Sequence, residues 1–153
     1  MEIWKAAVDD VDEIVRFDKE SLELHKKFDP VFHNISGSDW KKIRAEMAKA
    51  VKSKNEQVIV AEDNGKLVGF IKGYILKEGS KIFGILQDVY VSSGYRKKGL
   101  GSKFAFELFD WFKKNKCSRV QTEVFVKNKA AVKFYQSLGF KEQIYKMSLN
   151  MED

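Results

Sequence analysis

The sequence predicts one α/β domain in which strands and helices alternate along the chain. Apolar residues recur first at strand spacing and then at helix spacing in successive segments, and an Asn-Gly pair separates two strand-like runs. No linker, internal repeat or low-complexity stretch interrupts the 153 residues. Because 44% hydrophobic content with 12 phenylalanines is enough to fill one core, we expect a single domain spanning residues 1–153.

The first elements are a strand over residues 2–6 and two helices. Asp9 or Asp10 is placed to cap the first helix, and Ser36 or Ser38 to begin the second. Each helix has one apolar stripe at helical spacing. The stripes consist of Val11, Ile14, Val15 and Leu22 in the first helix and of Trp40, Ile43, Met47 and Val51 in the second.

A three-strand meander follows these helices. Residues 57–62 and 67–77 predict a hairpin, because Asn64-Gly65 is a strong signal for a tight turn between strands. Residues 82–91 continue the meander after Gly79 and Ser80.

The last elements alternate again between helix and strand. Residues 99–116 predict a helix with an apolar face, 119–126 a strand, and 128–138 a helix that ends at Gly139. Apolar residues at every second position predict a final strand, and they are Tyr145, Met147, Leu149 and Met151.

The turn between the third meander strand and the following helix has the composition of a phosphate site. Arg96, Lys97 and Lys98 supply positive charge, and Gly99 and Gly101 allow a ligand to approach the backbone closely. A helix N-terminus adds N–H groups without intrahelical partners and a partial positive charge. The turn is neither a Walker loop nor a dinucleotide fingerprint, because the glycine spacing differs from both. The sequence therefore predicts that this turn binds a pyrophosphate.

Two motifs together resemble the GCN5-related N-acetyltransferase (GNAT) superfamily. The first is R-x-x-G-x-G at residues 96–101, and the second is N-x-x-A-x-x-F-Y at residues 128–135, followed by Leu138-Gly139-Phe140. The resemblance extends from about Ile85 to Phe140. It implies a central mixed, mostly antiparallel twisted sheet of six to seven strands flanked by about four helices, in the order β-α-α-β-β-β-α-β-α-β.

The resemblance also implies an activity, namely direct transfer of acetyl from acetyl-CoA to a primary amine in a ternary complex, without a metal. Its cofactor-binding residues here are Val89, Tyr90, Val91, Arg96, Lys97, Lys98, Gly99, Leu100, Gly101, Ser102, Asn128, Ala131, Phe134 and Tyr135. Asn128 would both cap its helix and bind the pantetheine arm. The strand containing residues 89–91 would offer backbone groups at a bulge. Ser93 stands where a proline is frequent.

The resemblance makes Tyr135 the general acid for the departing thiolate. On the residues alone, Tyr135 is equally a packing residue of its helix. Asp88 and Glu123 are the candidate general bases, since each is a carboxylate in an apolar strand. Glu123 is slightly preferred, and structural roles for both residues or a base of ordered water remain alternatives. Gln87 replaces an acidic residue found in similar polyamine acetyltransferases, which weakens a polyamine role.

The resemblance also implies that substrate choice lies in the first half of the chain, where the aromatic-rich segment 24–34 would line the acceptor groove. On the residues alone, these rings are more often packing residues than specificity contacts. His25 and His33 form no nucleophilic triad or metal spacing, and Cys117 is interpreted as a packing residue. A single cysteine and the absence of a signal peptide or membrane span predict a cytoplasmic protein, with homodimerisation left open.

Charge is unevenly distributed. Residues 1–93 contain 15 basic and 16 acidic residues, whereas residues 94–153 contain 13 and 6. The basic half contains the predicted phosphate turn and would attract a polyanion such as coenzyme A. Two alternatives from other classes are a non-catalytic acyl-CoA sensor and a nucleic-acid-binding module. The second is disfavoured because no series of aromatic residues accompanies the basic run.

Overall fold

The computed structural model describes residues 1–31 and 37–152, which form two compact units. The first unit is Met1–Glu123 and the second is Val124–Asp153. The first unit contains five strands and three helices: β1 Glu2–Lys5, α1 Val11–His25, α2 Gly37–Ala50, β2 Glu56–Asp63, β3 Lys66–Glu78, β4 Lys81–Val91, α3 Leu100–Lys114 and β5 Arg119–Gln121. The second unit contains α4, Lys129–Ser137. These elements confirm the predicted α/β class and its element order up to the last helix.

The sheet has the order β1-β2-β3-β4-β5 and is mixed. Strands β1 to β4 pair in antiparallel fashion, and β5 pairs in parallel with β4. Asn64 and Gly65 have positive φ values of 53° and 76°, which is the geometry of a type I′ turn, and they join β2 to β3 as predicted. Among the described residues, the sheet has five strands rather than the expected six or seven.

One face of the sheet is covered by α1 and α2. Phe17 of α1 is completely buried and stacks on Tyr90 of β4, with ring centroids 5.1 Å apart. The core on this face consists of Ala6, Val11, Ile14, Val15, Phe17, Met47, Ala50, Val51, Val58, Val60, Phe70 and Tyr90.

Helix α3 packs against the other face, where three glycines let its side chains approach the strands. A Cβ at Gly84 would lie 2.6 Å from the ring of Phe112, and one at Gly73 would lie 2.9 Å from Leu108. At Gly69 it would lie 2.5 Å from the Tyr90 carbonyl oxygen of β4 and 3.1 Å from Phe104. The absence of a side chain is therefore required by α3 at Gly84, and by both α3 and the β4 backbone at Gly73 and Gly69.

The second unit is built around α4. Asn128 caps this helix, since its side-chain oxygen accepts the N–H of Ala131 at 3.2 Å. At the other end Phe140 N–H donates to the Tyr135 carbonyl and Gly139 N–H to the Gln136 carbonyl, with Gly139 at φ +95°. These two bonds form a Schellman motif, and they confirm the prediction that the helix ends at Gly139.

Two strand predictions were wrong in extent. The predicted strand 119–126 is only three residues long and ends at Gln121. The next residue, Thr122, contacts β4 through its side chain, since its hydroxyl donates to the Leu86 carbonyl at 2.9 Å. The predicted final strand does not form, since residues 141–152 contain neither helix nor strand. Tyr145 and Met147 are 80% and 90% exposed. An alternating pattern forms a strand only where a neighbouring strand completes its hydrogen bonds, and the second unit has none among its described residues.

Candidate active site

The site begins at an irregularity in β4. Lys72 of β3 pairs with Asp88, but the next residue, Gly73, pairs with Leu86, so Gln87 is an extra residue that forms a β-bulge. On the opposite edge β5 pairs with Phe83 to Ile85 and no further. From Gln87 onward, β4 therefore has a strand neighbour on one side only. The bulge expected from the resemblance is present at Gln87.

The loop after β4 is held by its own basic side chains. The Arg96 guanidinium Nε donates to the Val91 carbonyl at 2.7 Å, and the Lys98 ammonium donates to the Gly94 carbonyl at 2.8 Å. Arg96 also lies 5.5 Å from the Tyr90 ring centroid. Arg96 and Lys98 thus bind loop carbonyls here, while Lys97 is exposed.

The start of α3 requires left-handed backbone. Lys97 has φ +58° and Gly99, the residue before the helix, has φ +83°. Leu100 is only 2% exposed and contributes its side chain to the core, whereas Gly101 and Ser102 are partly exposed in the first turn. The predicted phosphate turn therefore brings exposed positive charge to a helix N-terminus, where N–H groups lack intrahelical acceptors.

A polar cluster interrupts the apolar face under α1. Asp88 of β4 and Asp18 of α1 are neighbouring carboxyl groups, and each affects the pKa of the other. Lys72 stands opposite Asp88 on β3, is 9% exposed, and places its ammonium 3.3 Å from a Glu56 carboxylate oxygen.

Burial raises the pKa of both carboxyls in the cluster. The pKa of Asp18 is raised first by burial and then by the neighbouring Asp88 charge. The pKa of Asp88 is also raised by burial, although the Lys72 charge and the hydrogen bond from Asp18 oppose that increase. A carboxylate with a raised pKa is suited to accepting a proton near neutral pH.

Tyr90 lies beside this cluster. Its hydroxyl donates to Glu20 of α1, and Glu20 also accepts a hydrogen bond from Arg16. Burial, followed by the Glu20 contact, raises the pKa of the Tyr90 phenol. Glu20 is therefore already occupied as an acceptor, and Tyr90 contributes a ring and a hydroxyl to the α1 face.

The second predicted base lies elsewhere. Glu123 is exposed and follows the end of β5, so it is not within a strand. Its role as a base stays a prediction. Within the first unit, the structure brings together Asp88, Val89, Tyr90, Val91 and Arg96.

The remaining predicted site residues lie in the second unit. Asn128 and Ala131 make the cap of α4. The Tyr135 ring packs against those of Phe134 and Phe140, with centroids 5.3 and 5.5 Å away. The predicted roles of these residues toward a cofactor stay predictions.

Sequence reasoning missed Asp18 and Lys72. Asp18 falls on the apolar stripe of α1, four residues after Ile14, and Lys72 lies between Ile71 and Gly73 in an otherwise apolar strand. A charged residue at a core position was the signal for each. Two other predictions concern residues outside the described ranges. One is the helix start at Ser36, and the other is the substrate-groove role of His33 and its neighbours in the segment 24–34.

Comparison with known proteins identifies the family. A model described as the acetyltransferase (GNAT) family matches residues 11–140. The chain belongs to this acetyltransferase family. The GNAT assignment agrees with both motifs, since residues 96–101 and 128–135 lie within the matched range.

Two curated relatives are N-acetyltransferases. An uncharacterized N-acetyltransferase of Methanocaldococcus jannaschii is 29% identical over 96 residues, covering 61% of this chain and 42% of that protein. The ribosomal protein bS18-alanine N-acetyltransferase of Escherichia coli K12 is 32% identical over 79 residues, covering 52% of this chain and 51% of that protein. The matches thus span about half the length of these relatives.

A solved structure shows the same fold. The aminoglycoside N-acetyltransferase AAC(6')-Iy in complex with CoA superposes with a TM-score of 0.76 at 14% identity, covering 99% of this GNAT chain and all of that one.

The described residues contain neither a membrane-spanning helix nor a cluster of potential metal ligands. No helix among residues 1–31 and 37–152 is long and apolar enough to cross a bilayer. Within the same residues, no three His, Cys, Asp or Glu side chains are grouped as they would be around a metal ion.

Proposed function

We propose that this protein is an acetyl-CoA-dependent N-acetyltransferase. It moves acetyl directly to a primary amine of a small molecule or a peptide, within a ternary complex of enzyme, donor and acceptor. The observation that carries this proposal is the continuity of one segment. Strand β4 bulges at Gln87, loses its β5 neighbour, and leads through a basic loop into the N-terminus of α3.

The residues present fit coenzyme A. The exposed Arg96, Lys97 and Lys98 and the first turn of α3 suit its phosphates, and the one-sided edge of β4 suits the amides of its pantetheine arm. Arg96 and Lys98 would exchange the carbonyls of Val91 and Gly94 for phosphate oxygens. When bound, the donor supplies a thioester carbonyl carbon as the electrophile.

Proton transfer is assigned to Asp88 and Tyr135. Asp88 lies beside the bulge in a partly buried polar cluster, and a base there would take a proton from the acceptor ammonium. This favours Asp88 over the exposed Glu123. Tyr135, in the F-Y pair of the family motif, would protonate the thiolate as it leaves.

A direct transfer also fits the state of the cysteine. Cys117 is partly buried and burial raises the pKa of its thiol, which disfavours the thiolate that a covalent route needs. The acetyl group would therefore pass from sulfur to nitrogen without an acyl-enzyme.

The relatives suggest which acceptors to test first. The E. coli relative acts on an alanine of a ribosomal protein, and the structural neighbour is an aminoglycoside acetyltransferase. An acceptor panel should therefore contain peptides with N-terminal alanine, aminoglycosides, lysine peptides and simple primary amines.

The test is thiol release from acetyl-CoA across this panel, with mass spectrometry of the acceptor product. At least one amine should gain a single acetyl group in proportion to the thiol released. Tight coenzyme A binding with no acetylated product from any class would contradict the enzyme and favour the acyl-CoA sensor.

A further inference from the structure

The loop that leads into α3 is tied to the β2–β3 hairpin by a hydrogen bond between two side chains. The Tyr95 hydroxyl donates to Oδ2 of Asp63 at 2.9 Å, although the two residues are 32 positions apart. Asp63 is the last residue of β2, and Tyr95 ends a short 3₁₀ turn over residues 93–95. Both residues are half-buried. The bond therefore joins the end of a strand to the residue before Arg96.

The Asp63 carboxylate is itself held in place. Its Oδ2 also accepts the side-chain amide of Asn64 at 3.3 Å, and its Oδ1 lies 3.5 Å from the Met1 amino nitrogen. Lys66 pairs with Asp63 across the tight turn of the hairpin. The acceptor for Tyr95 thus belongs to a hairpin whose geometry is set locally, and not to the loop that it holds.

On the loop side, Tyr95 makes three kinds of contact. Its N–H donates to the Ser92 carbonyl at 2.8 Å, and the Ser92 N–H donates to the Val68 carbonyl of β3 at 2.9 Å. The Lys98 ammonium lies 5.8 Å from the Tyr95 ring centroid while it donates to the Gly94 carbonyl at 2.8 Å. Tyr95 therefore contacts the loop through its backbone, Lys98 through its ring and the hairpin through its hydroxyl.

Such a tether favours binding of a ligand by the loop. A charged side chain that is ordered before its ligand arrives loses less conformational freedom on binding. Arg96 and Lys98 follow Tyr95 within three positions, so restricting Tyr95 also restricts the backbone that carries both cations.

We infer that Tyr95 and Asp63 are positioning residues for the phosphates of coenzyme A: their hydrogen bond holds the loop, and with it Arg96 and Lys98, at the start of α3. This inference rests on the proposed function. Neither residue is assigned a contact with the reacting atoms. The effect of losing the bond is therefore expected in affinity for the donor and not in the chemical step.

The first test removes a single oxygen atom. Tyr95→Phe keeps the ring beside Lys98 and loses the hydroxyl, so calorimetry should show coenzyme A binding weakened about three- to tenfold, the range for one hydrogen bond. Acetyl-pantetheine carries no phosphate and should bind folded Tyr95→Phe as it binds wild type. Tyr145→Phe, at a position that is 80% exposed, is the matched control and should leave both affinities unchanged.

The second test changes the acceptor. Asp63→Ala should weaken coenzyme A binding as Tyr95→Phe does, whereas Asp63→Asn keeps an oxygen that accepts the phenol and should restore most of the affinity. Both single changes break the same bond, so the double variant Asp63→Ala/Tyr95→Phe should bind no more weakly than the weaker single variant. Asp63→Ala also loses the contacts with Asn64 and Met1, so Tyr95→Phe is the cleaner single change.

The outcomes separate this inference from the proposed function. The positioning role is overturned by normal coenzyme A binding to folded Tyr95→Phe, by equal losses for the two ligands, or by additive losses in the double variant. Lower stability of Tyr95→Phe in urea with normal coenzyme A binding would likewise overturn it, because the bond would then serve folding alone. In each of these cases acetylation by the wild-type protein still supports the enzyme. If the wild-type protein binds no coenzyme A, the proposed function fails and the positioning role fails with it.

Discussion

The two faces of the sheet in the first unit differ in chemistry although the same strands form both. On the α3 face, glycines at 69, 73 and 84 meet the aromatic and leucine side chains of the helix at van der Waals distance or closer. On the α1 face, the apolar core is interrupted by Asp18, Lys72 and Asp88. The α3 face has glycines where the helix packs closely on the strands. The α1 face contains charged groups, and removing these groups from water costs free energy.

The difference indicates where stability and chemistry reside. A buried charged group is expensive to maintain, so a cluster beside a bulge is a candidate functional site. The α3 face has no such group in contact with its glycines, and we expect changes there to act through folding. Changes to charged groups on the α1 face should therefore alter catalysis, whereas changes to the glycines on the α3 face should alter stability.

Replacing Asp88 should have the largest effect on activity. Asp88→Asn removes the proposed base, and turnover should fall by roughly 10²–10⁴-fold, the range for lost general-base catalysis. The comparison variant is Glu123→Gln, at the exposed rival position, which should retain most of the wild-type rate. Steady-state kinetics on an identified amine measures the turnover of both variants. A greater loss for Glu123→Gln would show that Asp88 on the α1 face is not the base.

Tyr135→Phe tests the proposed general acid in the second unit. The ring and its contacts with Phe134 and Phe140 are kept, so stability and coenzyme A affinity should be near normal. Turnover should fall by roughly 10²-fold if the phenol protonates the leaving thiolate, with a changed basic limb of the pH profile. Tyr145→Phe, at an exposed position, is the control. Full turnover by Tyr135→Phe would reduce Tyr135 to a packing residue.

On the α3 face, Gly84→Ala should destabilise the protein without altering its chemistry. The new Cβ would lie 2.6 Å from the Phe112 ring, so that ring must move, and overpacking of this kind costs about 1–3 kcal/mol. Gly94→Ala meets nothing within 4 Å and should unfold like wild type. Urea denaturation measures the difference, and equal stability of the two variants would show that α3 adapts freely.

The start of α3 should respond to a β-branched residue through ligand affinity. Gly99 has φ +83°, so Gly99→Val strains the loop, and Gly101→Val places a side chain in the first turn. Affinity for coenzyme A should fall about tenfold, or about 1.4 kcal/mol. Calorimetry on folded protein measures this, and normal binding by both variants would place the phosphate site elsewhere.

Loss of Arg96 or Lys98 should depend on the phosphates of the ligand. Arg96→Ala and Lys98→Ala should weaken coenzyme A binding several-fold and acetyl-pantetheine binding much less, because only coenzyme A presents phosphate oxygens. Since both side chains also bind loop carbonyls, equal losses for the two ligands would assign them a purely structural role.

The smallest expected effect is a pH dependence of stability on the α1 face. Asp18 and Asp88 have pKa values raised in the folded protein, so the native state binds more protons than the unfolded chain above about pH 4. Stability should therefore fall as pH rises from about 4 through the raised values. Asp18→Asn should reduce that fall by on the order of 1 kcal/mol, whereas Asp9→Asn should not change it. Thermal unfolding between about pH 4.5 and 8 provides the comparison.

Sequence patterns predicted most of the helices and the meander because their signals are local. The Asn64-Gly65 turn, the stop at Gly139 and the cap at Asn128 depend on a few neighbouring residues, and all three have the expected geometry. The strands at the end of the chain were less predictable. Residues 122–126 and 145–151 have suitable composition, but strand formation depends on a partner that a local pattern does not contain.

The sequence by itself determined the α/β order, the basic turn before α3, and membership of the acetyltransferase family through residues 96–101 and 128–135. Only the tertiary structure decided that the carboxyls of Asp18 and Asp88 are neighbours and that Lys72 pairs with Asp88 on the adjacent strand. Those residues are 16 to 70 positions apart, and a helix must pack on a bulged strand before their charges interact. Coulombic coupling and desolvation depend on distance and burial in space, which residue spacing along a chain does not specify.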